Sequence, residues 1–171
     1  TTTNAQKNLR ATLPDLRHVL GEYLIVSHQE ITFNQQLEHW VDFYQLKQVM
    51  NSSAGSTEEK FAQFAQLYQG DLLRGLNVAN TPEFESWLAQ QTQLLHSKIA
   101  ETLQQWGRLF LEQNAVKEGL AATQILLKLQ PWDEAAHRLR MRLFWRGKQR
   151  SAALLQYNQC ADYLEEELGI E

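Results

Sequence analysis

The sequence predicts an almost all-α fold of stacked helix pairs, preceded by one helix and a short β-hairpin. Three observations carry this expectation. A pattern between Leu103 and Cys160 recurs at a spacing of 34 residues. Apolar residues keep a helical period over most of the chain, and strand-like alternation occurs once, between Tyr23 and Asn34. Only three prolines and eight glycines stand among 171 residues, which favours long helices over a many-turned β fold.

The repeat is specific in its order. Phe110 recurs as Phe144, closing Leu109-Phe110-Leu111 and Leu143-Phe144-Trp145. The turn pairs Gln113-Asn114 and Gly147-Lys148 fall in register, and Gly119, Thr123 and Leu126 recur as Ala153, Tyr157 and Cys160. Each copy thus reads as a helix with an aromatic near its end, a polar turn, and a second helix showing a small, a larger and a medium residue on one face. The small residue should let two antiparallel helices approach, and the larger one should fill the groove beside it. Phe110 and Phe144 are expected in like surroundings. Period and order are those of a tetratricopeptide-type repeat.

Taken in order, residues 4 to 20 read as a helix with Leu9, Leu13, Leu16 and Leu20 on one face. Asn4 suits its start, Pro14 should kink it or remove one backbone bond, and Gly21 suits the left-handed position after its end. Leu24 and Val26, then Ile31 and Phe33, alternate with polar neighbours around a tip at Ser27-His28-Gln29, as in a β-hairpin. A helix follows over 37–50 with Trp40, Phe43, Leu46 and Met50 as its stripe, then a loop at 51–55. Ser56 and Glu59 form a capping-box pattern before Phe61, Phe64, Ala65 and Tyr68. Residues 70–80 read as an ordered loop plugging Leu72 and Leu73 into the core. Thr81-Pro82-Glu83 opens the longest helix, with Thr81 as N-cap. Its stripe runs through Trp87, Leu88, Leu95, Ile99, Leu103, Trp106 and Phe110 for on the order of 45 Å. Pro131-Trp132-Asp133-Glu134 is a turn and restart, and two helices complete the chain to Gly169.

Composition narrows the function. The formal charge of −4 and pI near 5.7 argue against a chain wholly devoted to nucleic acid. Basic residues are nevertheless clustered: Lys7, Arg10 and Arg17 at the front, and Arg138, Arg140, Arg142, Arg146, Lys148 and Arg150 later. Asp162, Glu165, Glu166, Glu167 and Glu171 make an acidic end. No apolar run approaches a membrane span and no secretory leader is visible, so no membrane partner is expected. A lone cysteine suits a reducing compartment and hence the cytoplasm. The chain lacks an initiator methionine and reads as a piece of something longer.

No residue set reads as catalytic, metal-binding or cofactor-binding, and the chain is not expected to be an enzyme. His18, His28, His39, His96 and His137 form no His-x-x-x-His pair, and Cys160 has no second cysteine to complete a zinc set. No glycine-rich loop cradles a phosphate. Cys160 falls at an interior packing position, His137 reads as a hydrogen-bonded structural histidine, and Glu165-Glu166-Glu167 as a solvated helix end. Phe61-Phe64-Tyr68 and Trp106-Phe110 are core stripes. The open case is the later basic run. Arg138 and Arg142 share a helix face while Arg146 and Lys148 flank a turn, giving either a solvated outer face or a patch for an acidic partner or DNA phosphate.

These words converge on a family. Tyr68-Gln69-Gly70-Asp71-Leu72-Leu73-Arg74-Gly75-Leu76, Phe84-Glu85-Ser86-Trp87-Leu88, Gln130-Pro131-Trp132-Asp133-Glu134 and His137-Arg138-Leu139-Arg140-Met141 stand in order. Gly147-Lys148, Ala153, Tyr157, Leu164 and Glu167-Leu168-Gly169 follow them. With these, residues 66–171 resemble the bacterial transcriptional activator domain of SARP-type regulators. At the front, Asn8-Leu9-Arg10, Leu13, Leu16-Arg17, Leu20-Gly21, Leu24-Ile25-Val26 and Ile31-Thr32-Phe33-Asn34 resemble the last helix and wing of an OmpR-like winged helix.

The resemblance implies a winged-helix remnant over 1–35 and a tetratricopeptide-like activator domain over 36–171. It implies DNA-facing roles for Lys7, Asn8, Arg10, Arg17 and the wing-tip His28, and partner-facing roles for Arg138, Arg142, Arg146 and Lys148. The implied partners are promoter DNA in the full-length protein and other domains of the regulator or the transcription machinery, with a homodimer left open. Two departures stand against it: the first half of the winged helix is absent, and the acid of Pro14-Asp15 would repel phosphate. The rival expectation is a generic tetratricopeptide-type adaptor with no part in DNA binding.

Overall fold

The computed structural model describes residues 2–27, 30–76, 78 and 81–168. It falls into two compact units, Thr1–Val41 and Asp42–Glu171, so the division lies six residues beyond the expected boundary at 35/36. The first unit contains helix α1 (Thr2–Leu20), a 3-10 turn (Gly21–Tyr23) and strands β1 (Leu24–Val26) and β2 (Ile31–Phe33). The second contains α2 (Asp42–Asn51), α3 (Thr57–Leu67), α4 (Pro82–Glu112), α5 (Val116–Leu129), α6 (Glu134–Arg146) and α7 (Arg150–Leu168). Among the described residues the chain is mostly helical, with one small sheet.

In the first unit α1 runs through Pro14 without a break. Gly21 then takes φ +53°, which ends the helix where a side chain would be strained. The strands pair antiparallel, Leu24 opposite Phe33 and Val26 opposite Ile31. Across them Tyr23 stacks on Phe33, with ring centroids 5.8 Å apart, and His39 meets the Phe33 edge at 5.1 Å. The Tyr23 hydroxyl donates to the Glu38 carbonyl at 2.9 Å and the Asn34 amide to the Glu22 carbonyl at 3.1 Å, which tie the exit of the hairpin to its entry. At the tip, Ser27 N–H donates to Glu30 O; His28 and Gln29 lie outside the described residues.

In the second unit the expected aromatic stripes form the core. Phe61 and Phe64 on α3 meet Trp106 edge-on, and Phe61 meets Phe110 at 5.6 Å. Leu46, Leu95, Ile99, Leu103, Ala122 and Leu126 continue that cluster. A smaller one joins Leu111, Leu139 and Leu143, with Leu120 against it. The capping box is present in full: Ser56 Oγ accepts from Glu59 N–H at 3.1 Å, and Glu59 Oε2 accepts from Ser56 N–H at 2.9 Å.

The 34-residue period is written in the backbone. Gln113 N–H donates to Leu109 O, and Gly147 N–H to Leu143 O, each at 2.9 Å. Ala115 donates to Phe110 O at 2.8 Å, and Gln149 to Phe144 O at 2.9 Å; Gly119 donates to Ala115 O, and Ala153 to Gln149 O. Both turns therefore close their helices by the same bonds.

Side chains are less faithful than backbone. Phe110 is fully buried but Phe144 only half, under the Arg140 guanidinium 5.1 Å from its ring, so the two aromatics sit in unlike surroundings. Thr123 is fully buried, while its period-mate Tyr157 is 61% exposed. The reason is position in the stack: the first copy has neighbours on both sides, the second on one.

Five local expectations also fail. The helix expected over 37–50 starts only at Asp42, whose carboxylate accepts from Phe43 N–H at 2.7 Å, leaving Trp40 outside it and 68% exposed. Ala65 is exposed rather than part of the α3 stripe. Leu72 packs against the core, but Leu73 turns outward, with φ +53°. Thr81 makes no cap hydrogen bond; its hydroxyl donates to Val78 O at 2.8 Å. Trp87 is exposed and stacks on Phe84 at 5.7 Å, so the buried stripe of α4 begins at Leu95.

Candidate functional site

A groove of about 930 Å³ runs between the end of α4, one face of α6 and the start of α7. Its floor is apolar: Leu111 and Leu139 are buried, with Ala135, Met141 and Ala153 beside them. Trp145, Leu154 and Tyr157 stand along it largely in solvent. Four guanidinium groups rim it, from Arg108, Arg138, Arg142 and Arg146, against one carboxylate, that of Glu112. Arg138 is engaged with Glu134 at 3.3 Å, an exposed i,i+4 pair of little energetic weight. Among the described residues, Arg108, Arg142 and Arg146 make no ion pair. This is a basic island in a chain whose formal charge is −4.

Helical spacing explains the arrangement. Residues 135, 138, 142 and 145 recur every three or four positions, so they share one side of α6. Of the four expected partner-facing residues, Arg138, Arg142 and Arg146 line this groove. Lys148 does not: it occupies the left-handed turn after α6, with φ +58°. Arg150 stacks over Trp145 at 5.1 Å and so adds charge beside the groove.

Sequence reasoning missed Arg108, Trp145, Leu154 and Tyr157 as groove residues. Arg108 stands one period before Arg142, which is the signal that would have found it. Arg140, in the same basic run, faces elsewhere. Its guanidinium donates to Leu120 O and to Thr123 Oγ1, which itself donates to Gly119 O at 2.8 Å. Burial lowers its pKa from the ordinary arginine value, yet it remains the cation clamping α6 to α5.

The other titratable groups singled out are structural in placement. His137 is buried, with Nε2 2.7 Å from Pro131 O and Nδ1 2.7 Å from the Gln156 amide nitrogen. Cys160 is buried, and burial, with a smaller push from Glu134 against the pull of Arg138, raises its thiol pKa. That environment keeps the sulfur protonated and weakly nucleophilic. Among the described residues, no group of His, Cys, Asp or Glu is arranged to hold a metal ion.

In the first unit Lys7, Asn8, Arg10 and Arg17 are all exposed on α1. At about 100° per residue, Lys7, Arg10 and Arg17 share one side of that helix, and Asn8 lies nearly across it from Arg10 and Arg17. Leu13 and Leu16, half-buried, lie on the adjoining side, next to that of Arg17. His28 lies outside the described residues.

No described helix is long and apolar enough to cross a membrane. Comparison with curated proteins and with solved structures gives no match. A family model described as the bacterial transcriptional activator domain matches residues 44–171, most of the chain and nearly all of the second unit.

Proposed function

We propose a role that proceeds from one premise: the chain belongs to the bacterial transcriptional activator domain family. It carries the domain of an activator-type transcription regulator. In our reading the helical unit is the regulator's interaction module, of tetratricopeptide type as in SARP-type regulators. It binds rather than catalyses, receiving another domain or a component of the transcription machinery in the cytoplasm. The first unit is the closing part of an OmpR-like winged helix, with Lys7, Arg10 and Arg17 facing promoter phosphate and Asn8 reaching DNA from another side of the same helix.

The observation that supports this reading is the family match immediately preceded by a helix and an antiparallel hairpin, with three cations along one helix side. Cations so placed neutralise phosphates and fix the orientation of a reader helix. The test is an anisotropy titration of duplex DNA from the region upstream of the gene, using the gene's complete product. Tight binding that weakens steeply with salt and is impaired by Arg10→Ala and Arg17→Ala supports the reading. Salt-independent or absent binding refutes the DNA-reading part of it.

A further inference from the structure

The groove matches, one period on, the surface that α6 covers in the first repeat. In the first repeat, α6 covers Gly107, Leu111, Gly119, Leu120 and Thr123. A Cβ built on Gly107 would meet Leu139 Cδ2 at 2.8 Å, and one on Gly119 would meet Leu143 Cδ2 at 2.6 Å. Leu111 and Leu120 pack with Leu139 and Leu143, while Arg140 reaches Leu120 O and Thr123. One period later these five positions are Met141, Trp145, Ala153, Leu154 and Tyr157. All five line the groove, and three are among the most exposed large side chains of the unit. The surface α6 occupies in one copy is open in the next.

The same comparison states what would fit. The turn joining α6 to α7 repeats that joining α4 to α5 bond for bond, so the two hairpins are set up alike and the seat suits a helix. Met141 and Ala153 replace the two glycines, so an incoming helix stands farther out than α6 does, meeting Leu154, Trp145 and Tyr157 with aliphatic side chains at i and i+4. Its charge is set by the rim. Arg142 recurs from Arg108, and Arg146 stands where Glu112 stood, so the sign of that position is reversed.

We propose that the α4–α6–α7 groove receives an acidic amphipathic helix of a partner protein, seated as α6 is seated on α4 and α5. This rests on reading the helical unit as an interaction module and names the chemistry of its partner. A nucleic acid would answer the arginines but leave the aliphatic Leu154 and the half-buried Met141 without apolar cover, so the helix is favoured.

The experiment uses the 171-residue chain and a synthetic fluorescent helical peptide with leucines at i and i+4 on one side and glutamates flanking them. Its controls are a peptide of the same composition with scattered leucines and a single-stranded oligonucleotide. The patterned peptide should bind, with the scattered peptide and the oligonucleotide weaker by about tenfold. Arg142→Glu with Arg146→Glu, and separately Leu154→Asp, should each weaken it by about tenfold, with circular dichroism melts verifying that the exposed-site variants fold. Equal binding of either control, no saturable binding, or concentration-dependent self-association abolished by Leu154→Asp would overturn the proposal. The last outcome would make the occupant a second copy. No promoter enters this assay, so failure here leaves the DNA titration unaffected, and failure there leaves the peptide result standing.

Discussion

Asn114 and Lys148, one period apart, hold the same left-handed backbone, with φ of +61° and +58°. Each follows a helix whose closing bonds are the same, so the turn geometry is conserved within the chain although the residues differ. Asparagine tolerates this region and lysine does not do so readily. Lys148→Gly should therefore stabilise the chain by about 0.5–1 kcal/mol, and Asn114→Gly by less. Urea denaturation at neutral pH reads both. A lower midpoint for Lys148→Gly would contradict the strain argument.

Gly119 should resist even alanine. A methyl there would stand 2.6 Å from Leu143 Cδ2 and 3.2 Å from Phe110 Cβ, and both residues are fully buried. Overpacking of about 1–3 kcal/mol outweighs the gain of about 1 kcal/mol from alanine's better helix propensity. Gly119→Ala should thus lower the unfolding midpoint, and an unchanged midpoint would mean that α6 can shift outward freely.

The paired aromatics should separate in energy. Phe110→Ala removes a side chain enclosed by Phe61 and the α4–α5 core, at about 3–5 kcal/mol. Phe144→Ala removes a half-buried ring that lies under Arg140, at about 1–2 kcal/mol. Equal losses in denaturant titrations would show the two surroundings to be equivalent after all.

Alkaline pH should weaken the fold through two groups raised in the folded state. Burial raises Cys160, and burial followed by Asp71 raises Tyr68. In each case the folded chain keeps its proton to a higher pH than the unfolded one. Their contribution is complete below the ordinary thiol value of 9.0 and phenol value of 10.0, and is lost as pH rises through the folded values. Stability against urea should fall above pH about 9, and Cys160→Ala should flatten the first part of that fall. A slope unchanged by Cys160→Ala would remove the thiol from the account.

What could be read beforehand follows the range of the forces. Gly21, the Ser56–Glu59 box and the β1–β2 pairing are set by neighbours a few residues away, and the sequence carried them in full. Trp40 and Leu73 were misplaced because apolarity says that a side chain favours cover, not that the chain delivers it. A carboxylate at Asp42 starts α2 past Trp40, and a left-handed residue turns Leu73 out. The groove was half legible. Arg138, Arg142 and Arg146 declare themselves by spacing on one helix, whereas Arg108 and Leu154 join them only once three helices have packed.

The smaller of the two cores also has a kinetic meaning. Leu111, Leu139, Leu143 and Leu120, with the Arg140 clamp, are the chief attachments of α6 to α4 and α5, and α7 is joined mainly to α6. A one-dimensional stack of this kind unzips from its looser terminus. Amide protons of α7 should therefore exchange with deuterated water earlier than those of α4, and whatever settles beside α7 would slow that exchange. Recognition at this end would be felt as a tightening of the last hairpin.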